Sequence, residues 1–325
     1  MRLVSDDQTP GYLAIDLGPS RLLVGVVDLS GEVVVRDRLT TPPRNVWPAL
    51  TSLVKRVLAA NPTSVVPASV GVTCPGPIDH LTGAMKPVGM PTWHDFPLRR
   101  ELTAITGLPV HLDTAGRGLA LAELWRGATE PHREPHSHFA TLALGDEVDG
   151  ALVADGRVLE GLTNNLGQFG HLIVEPDGAP CLCGANGCVT AYAGARAIET
   201  ATGRELRRTP PAQVELVGIM IARACASIAA MFDVAEIMVG GVVAQQLGGP
   251  FFDALAREFG QRTGLDEVRS VRIQDVSANV NRLVAAAAVA QAVEGEPVVD
   301  DQRPGAGAVE QPSSNDADPA EPLPD

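Results

Sequence analysis

The sequence predicts an α/β protein of two similar lobes carrying a structural metal loop, and three observations support that reading. A strand–loop–strand–turn–strand layout at Tyr12–Leu17, Arg21–Leu29 and Val33–Arg38 recurs about 130 residues later at Phe139–Leu144 and Asp149–Ala154. Each copy opens with a Gly-marked loop, Gly18-Pro19-Ser20 or Gly145-Asp146-Glu147. Stretches of helical period separate and follow the two copies. One His and three Cys then fall within eighteen residues, at the spacing His-x9-Cys-x-Cys-x4-Cys.

In chain order, Ser30-Gly31 turns the first meander into its third strand, and Val46–Leu58 has helical periodicity. Ser64–Thr73 reads as a buried strand ending in Cys74-Pro75-Gly76-Pro77. Pro97–Ile105 is helical, Leu108–Asp113 extended and Arg117–Trp125 helical again. Glu130–His138 is a polar loop whose histidines (His132, His136, His138) suit a solvated hinge better than a metal site. After the second meander, turned by Asp155-Gly156, helices are expected over Ala191–Thr200 and Pro211–Phe232. The short strand Ile237–Val239 ends at Gly240-Gly241 and leads into another helix. Val271–Val276 and Val280–Val293 form a last strand and helix.

His171, Cys181, Cys183 and Cys188 form a closed set of three soft sulfurs and one imidazole, the donor set of a structural zinc site with no open position for catalytic water. Gly178, Gly184 and Gly187 lie between the ligands, where the chain must turn tightly. A disulfide is the weaker reading, because a Cys-x-Cys pair rarely bridges itself and three cysteines leave one over. Cys74 and Cys225 stand apart and read as small buried residues, a usage that fits a reducing compartment.

At 325 residues and 45% apolar, the chain is long enough for two lobes with sizeable cores. Its net charge of −14 includes nine acids and one base from Glu294 onward, and six prolines there point to a disordered acidic tail over 294–325. An acidic body without a basic stripe argues against direct nucleic-acid binding. No apolar run is read as long enough to cross a bilayer, Ala285–Ala288 being a small-residue helix face. Met1–Pro10 holds Asp6 and Asp7 and no apolar stretch, so no secretory signal is expected and the location is read as cytoplasmic.

Gly167-Gln168-Phe169-Gly170-His171, followed by Cys181-Leu182-Cys183-Gly184-Ala185-Asn186-Gly187-Cys188, resembles the zinc loop of the ROK family. These are bacterial sugar kinases and sugar-responsive repressors of the actin/hexokinase superfamily. Gly107–Glu123 resembles a second family pattern, and the likeness runs from about Tyr12 to Val293. It implies a two-lobed actin/hexokinase-like fold, in which each lobe is ribonuclease-H-like. The N-terminal lobe would span 12–127, with the C-terminal helix 278–293 packing back on it. The C-terminal lobe would span 128–277 and include the zinc loop 171–188, and residues 1–11 would be disordered. A homodimer is a further expectation from the family. Only about eleven residues precede the first strand, too few for the helix-turn-helix of the family's repressors.

The resemblance also implies which kinase parts are missing. The family's catalytic Asp corresponds to Ala115 and its sugar-binding Asn to Thr114, leaving Asp113 as a fallback base. On a strand, residues two apart stand roughly 6.5 Å from each other, so Asp113 would miss a hydroxyl placed for position 115. Of the remaining sugar contacts, His171 is kept, while two glutamates become Gln168 and Thr190. On the nucleotide side Asp16, Gly18, Ser20, Gly240 and Gly241 are kept, but Pro19 replaces a glycine and removes an N–H. Asp146, Glu147 and Asp149 stand in the second phosphate loop, where one like-charge contact at 4 Å costs about 4 kcal/mol at an effective dielectric near 20. The expectation is a zinc-stabilised, catalytically impaired sugar-kinase-like protein that senses a sugar-like ligand or serves as a scaffold. The alternative is a divergent kinase that uses ATP and magnesium on a hexose or amino sugar.

Overall fold

The structure, a computed structural model, describes residues 8–127 and 137–294. The expected disorder of the acidic tail, most of the N-terminal segment, and His132 and His136 lie outside the described residues. The first strand starts at Thr9, taking in three residues that the sequence reading left outside the lobe.

Continuous apolar runs become buried central strands and alternating ones become edges. β1 (Thr9–Leu17) is buried from Gly11 onward, whereas β3 (Val33–Thr40) alternates between exposed and part-buried. With β2 (Arg21–Asp28), β4 (Val65–Thr73) and β7 (Val110–Asp113) they form a sheet ordered β3-β2-β1-β4-β7. The first three strands are antiparallel, and β4 and β7 add in parallel. Pro67 has no N–H to donate, and the β1–β4 register shifts beside it, between Gly11 and Tyr12. The hairpin β5 (Ile78–Asp79) and β6 (Ala84–Met85) stands off this sheet.

The second sheet repeats the plan in the order β10-β9-β8-β11-β12. Its strands are β8 (Phe139–Leu144), β9 (Val148–Ala154), β10 (Arg157–Val158), β11 (Glu236–Gly240) and β12 (Arg272–Asp275). Again three antiparallel strands are followed by two parallel ones, so the duplication read from the sequence is a duplication of topology.

Helices α1 (Val46–Ala60) and α2 (Leu98–Thr106) cover the first sheet. The second sheet is covered by α6 (Pro211–Phe232) and α7 (Val242–Arg262), with the short α8 (Asp266–Arg269) after them. α3 (Ala115–Arg126) and α9 (Arg282–Glu294) lie in the middle. Tyr12, Ala14 and Val27 of the first sheet pack on α9, Leu119 and Ala122 of α3 pack on its other side, and Ala120 of α3 meets Phe139 and Ala151 of the second sheet. A helix buried on every side needs no amphipathic stripe. This corrects the reading of Ala285–Ala288 as one helix face: Leu283 through Ala290 are all buried.

Two further expectations change. The helix read over Ala191–Thr200 is two helices, α4 (Thr190–Ala193) and α5 (Ala195–Thr202), because Gly194 is extended and seated against the Asp146 carbonyl. α6 is long and apolar enough to cross a bilayer by length and composition alone, contrary to the sequence reading. In the fold it is a core helix, with Val217, Ile221, Ala224, Cys225 and Ile228 buried against the second sheet and α7.

Candidate functional site

The candidate metal cluster assembles from two short pieces of chain. His171 ends a single 3-10 turn, Phe169–His171, whose Phe169 is anchored in the core. The cysteine loop closes on itself through bridges pairing Ile173 with Cys188 and Pro180 with Asn186. One ligand atom from each of His171, Cys181, Cys183 and Cys188 lies within 4.8 Å of all the others. A tetrahedron with metal–sulfur bonds of about 2.3 Å has edges of roughly 3.8 Å. The Cys183 and Cys188 sulfurs are 3.8 Å apart, and Cys181 Sγ lies 3.9 Å from His171 Nδ1. The residues therefore fit a zinc ion in geometry and donor type.

Between the two sheets, the N-terminus of α3 is the other focus. Gly116 and Gly150 bring α3 and β9 backbone to backbone, since a methyl on Gly116 would overlap the Gly150 main chain. Ala115, the first residue of α3, presents only a methyl there. Asp113 is buried, and its carboxylate is held from two directions. Arg117 Nε donates to Oδ1 at 2.8 Å and Oδ2 at 2.9 Å, and the Thr114 N–H donates to Oδ1 at 2.8 Å. Burial pushes its pKa up, with Arg117 and the Thr114 amide opposing. Arg117 itself also donates to the Leu159 carbonyl.

The sugar-side candidates meet differently. Gln168 and Thr114 both close on Gly76, where a methyl would lie 3.1 Å from Gln168 Nε2 and from Thr114 Cγ2. Thr190 is buried and engaged structurally, its hydroxyl accepting from the Val148 N–H at 3.1 Å. Asn165 pairs with Ile78, accepting from the Ile78 N–H at 2.8 Å and donating to the Ile78 carbonyl at 2.9 Å.

Sequence reasoning missed the role of Asp149, which it took only as a charge facing a phosphate. The Gly116–Gly150 contact brings it to α3, where its Oδ2 accepts from the Gly116 N–H at 2.9 Å, next to Ala115. Burial raises its pKa to about 6, against the Thr114 hydroxyl and the Gly116 and Gly150 amides, which lower it. The small residues at 116 and 150 were the available signal, legible only once the two segments are known to touch.

This carboxyl holds its proton more tightly in the folded chain than in the unfolded one, so folding takes up a proton between about pH 4 and pH 6. Its contribution favours the fold at acid pH and is lost as pH rises through that window. Asp149→Asn is expected to stabilise the protein at pH 7 by about 1–3 kcal/mol and to flatten the change in stability between pH 7 and pH 4. Denaturant melts at the two pH values check this, and an Asp149→Asn chain less stable at pH 7 with an unchanged pH profile would contradict it.

Among the nucleotide-side candidates, Asp16 is buried and ion-paired with Arg282, and the Thr73 hydroxyl donates to its Oδ1 at 2.9 Å. Ser20 donates its N–H to Asp146 Oδ2 at 2.8 Å and its hydroxyl to Asp146 Oδ1. Gly240 closes β11, and Gly241, at φ 103°, caps α7 against the Leu144 main chain. Burial and the Asp146 charge push Glu147 up, opposed by the Gly89 N–H and Arg196.

Comparison with known proteins places this geometry. The family model described as ROK family matches residues 12–263. A glucokinase of Thermotoga maritima is 33% identical over 190 residues, which cover 57% of this chain and 58% of the relative, so the match spans little more than half the relative's length. A ROK family glucokinase from Streptomyces griseus, solved with glucose and AMPPNP, superposes with a TM-score of 0.73 at 22% identity, over 85% of this chain and 98% of that one. A ROK family transcriptional regulator, a homologue of the E. coli MLC protein, superposes at 0.69 and 20% identity, over 88% of this chain and 78% of that one. At such identities the two structures speak for the fold alone.

Proposed function

The chain belongs to the ROK family, and from that premise we propose that it is a sugar-kinase-like protein which has lost phosphoryl transfer and keeps its zinc-stabilised lobes as a ligand sensor or regulatory scaffold. One observation carries the reading. Arg117 clamps the fallback base Asp113 in the interior, and by the family resemblance Ala115 takes the position of the base. Losing a general base costs about 10²–10⁴ in rate. In phosphoryl transfer nearly all the acceleration comes from positioning and charge stabilisation, and Pro19 with the acidic second loop weakens those as well.

In this reading His171 and the three cysteines hold a structural zinc, and Thr114, Gln168 and His171 face a small sugar-like ligand. Thr190 contributes by shaping the β9 end of the site. The lobes at 12–127 plus 278–293 and at 128–277 would hinge around that ligand, and a homodimer is carried over from the family.

Asp149 favours a second reading, an active divergent kinase using ATP and magnesium. Its carboxylate accepts from the Gly116 amide, one residue from Ala115 in the chain, and a pKa of about 6 suits a base working near neutral pH. A panel of hexoses, amino sugars and N-acetyl sugars, read by thermal shift without nucleotide and by ADP release with ATP and magnesium, separates the two. Saturable stabilisation without ADP release supports the sensor. ADP release that disappears in Asp149→Asn supports the kinase and overturns the first reading.

A further inference from the structure

We propose that Asp146 is a built-in anion: it occupies the donors of Ser20 on the facing lobe, so that a chain of phosphates can bind there only by displacing it. The contact joins residues 126 positions apart and is two-pronged, main-chain N–H to one carboxylate oxygen and hydroxyl to the other. Paired donors aimed at two oxygens of one group are what a phosphate would use, and charge-assisted bonds of this kind are the stronger ones. The carboxylate sits over the turn, since a methyl on Gly18 would lie 3.3 Å from Asp146 Oδ2 and 3.9 Å from an Arg282 guanidinium nitrogen.

Further carboxylates stand around this contact. Arg282 satisfies the buried Asp16. Glu147 abuts Gly89, whose carbonyl accepts from Arg196 at 3.3 Å. Asp149 takes the Gly116 amide farther in. The hairpin thus gives one carboxylate to each of three places on the first lobe. Asp16, Asp146, Glu147 and Asp149 outnumber the guanidiniums of Arg282 and Arg196 beside them, so an entering polyanion meets like charge, and displacing Asp146 from the turn lowers that excess. Ser20 is exposed, so the contact lies at the solvent edge, where such a displacement is feasible.

The inference rests on the sensor reading for its context, and it stands or falls on amide exchange and phosphate binding, with turnover read separately to judge the sensor reading. Hydrogen exchange of the full-length chain, with zinc present, follows the Ser20 amide. Calorimetry with inorganic tripolyphosphate and with AMPPNP compares the native chain with Asp146→Thr. In the native chain the Ser20 amide is expected to be protected and both probes to bind weakly. In Asp146→Thr its exchange should quicken and tripolyphosphate should bind about tenfold tighter or more. An equal gain for both probes assigns the site to the phosphate chain, and a larger gain for AMPPNP assigns it to a nucleotide. A native Ser20 amide exchanging at the unprotected rate overturns the proposal whether or not the variant folds, and so does a folded variant with no gain for either probe. ADP release that rises in Asp146→Thr would refute the sensor reading while leaving this one standing.

Discussion

Cys183→Ala is expected to empty the metal site and to lower unfolding stability by several kcal/mol, from a starting content close to one zinc per chain. The geometry explains the size of the loss. The loop has little core of its own: Leu182 and Ile173 are exposed, and its ends reach the hydrophobic core through Leu172, Val174 and Val189. The metal would supply what packing does not. The loosening would spread to Phe169–His171, and so to Gln168 at the cleft. Elemental analysis of reductively purified protein, with melts before and after strong chelation, checks both parts. Zinc-free protein with an unchanged melting temperature would contradict the assignment.

Arg117→Met should cost about 3–5 kcal/mol, the usual penalty for breaking a buried ion pair by removing one partner. Asp113 would keep the Thr114 amide and lose both bonds to Arg117. Burial already pushes Asp113 up, with Arg117 the main opposing influence, so in the variant its pKa should rise further. A raised carboxylate pKa favours the fold at low pH, so the deficit should be largest at neutral pH and shrink as the medium is acidified. Adding Asp113→Asn should recover part of the loss, because the uncompensated charge goes with it. If the single variant loses less than about 1 kcal/mol, or the double variant is additive, Asp113 is not clamped as described and regains standing as a fallback base.

The fold was legible because each lobe repeats one strand pattern and strongly apolar strands leave little choice of type. The break at Gly194 was not, since a glycine inside a helical-period stretch is tolerated unless something external packs on it, and the Asp146 carbonyl does. The clustering of His171 with Cys181, Cys183 and Cys188 was legible because all four are local in sequence. The cleft was not: Ser20–Asp146, Gly116–Asp149 and Ile78–Asn165 are long-range contacts set by how the lobes meet. Local reading took Asp146 and Asp149 only as obstacles to a phosphate, whereas in the fold each carboxylate accepts from a particular main-chain donor. Thr190 likewise matched a sugar position in the pattern, yet its hydroxyl is engaged with the Val148 amide.

The account depends most on the methyl of Ala115 and the clamped Asp113 leaving the chain without a working base. The most direct measurement is ADP release by the zinc-loaded full-length protein, with magnesium and ATP, across hexoses, hexosamines and N-acetylhexosamines. The account predicts no release above the sugar-free background for any of them. Sustained release with any sugar at an ordinary enzymatic rate, on the order of 1 s⁻¹ or faster, would contradict it.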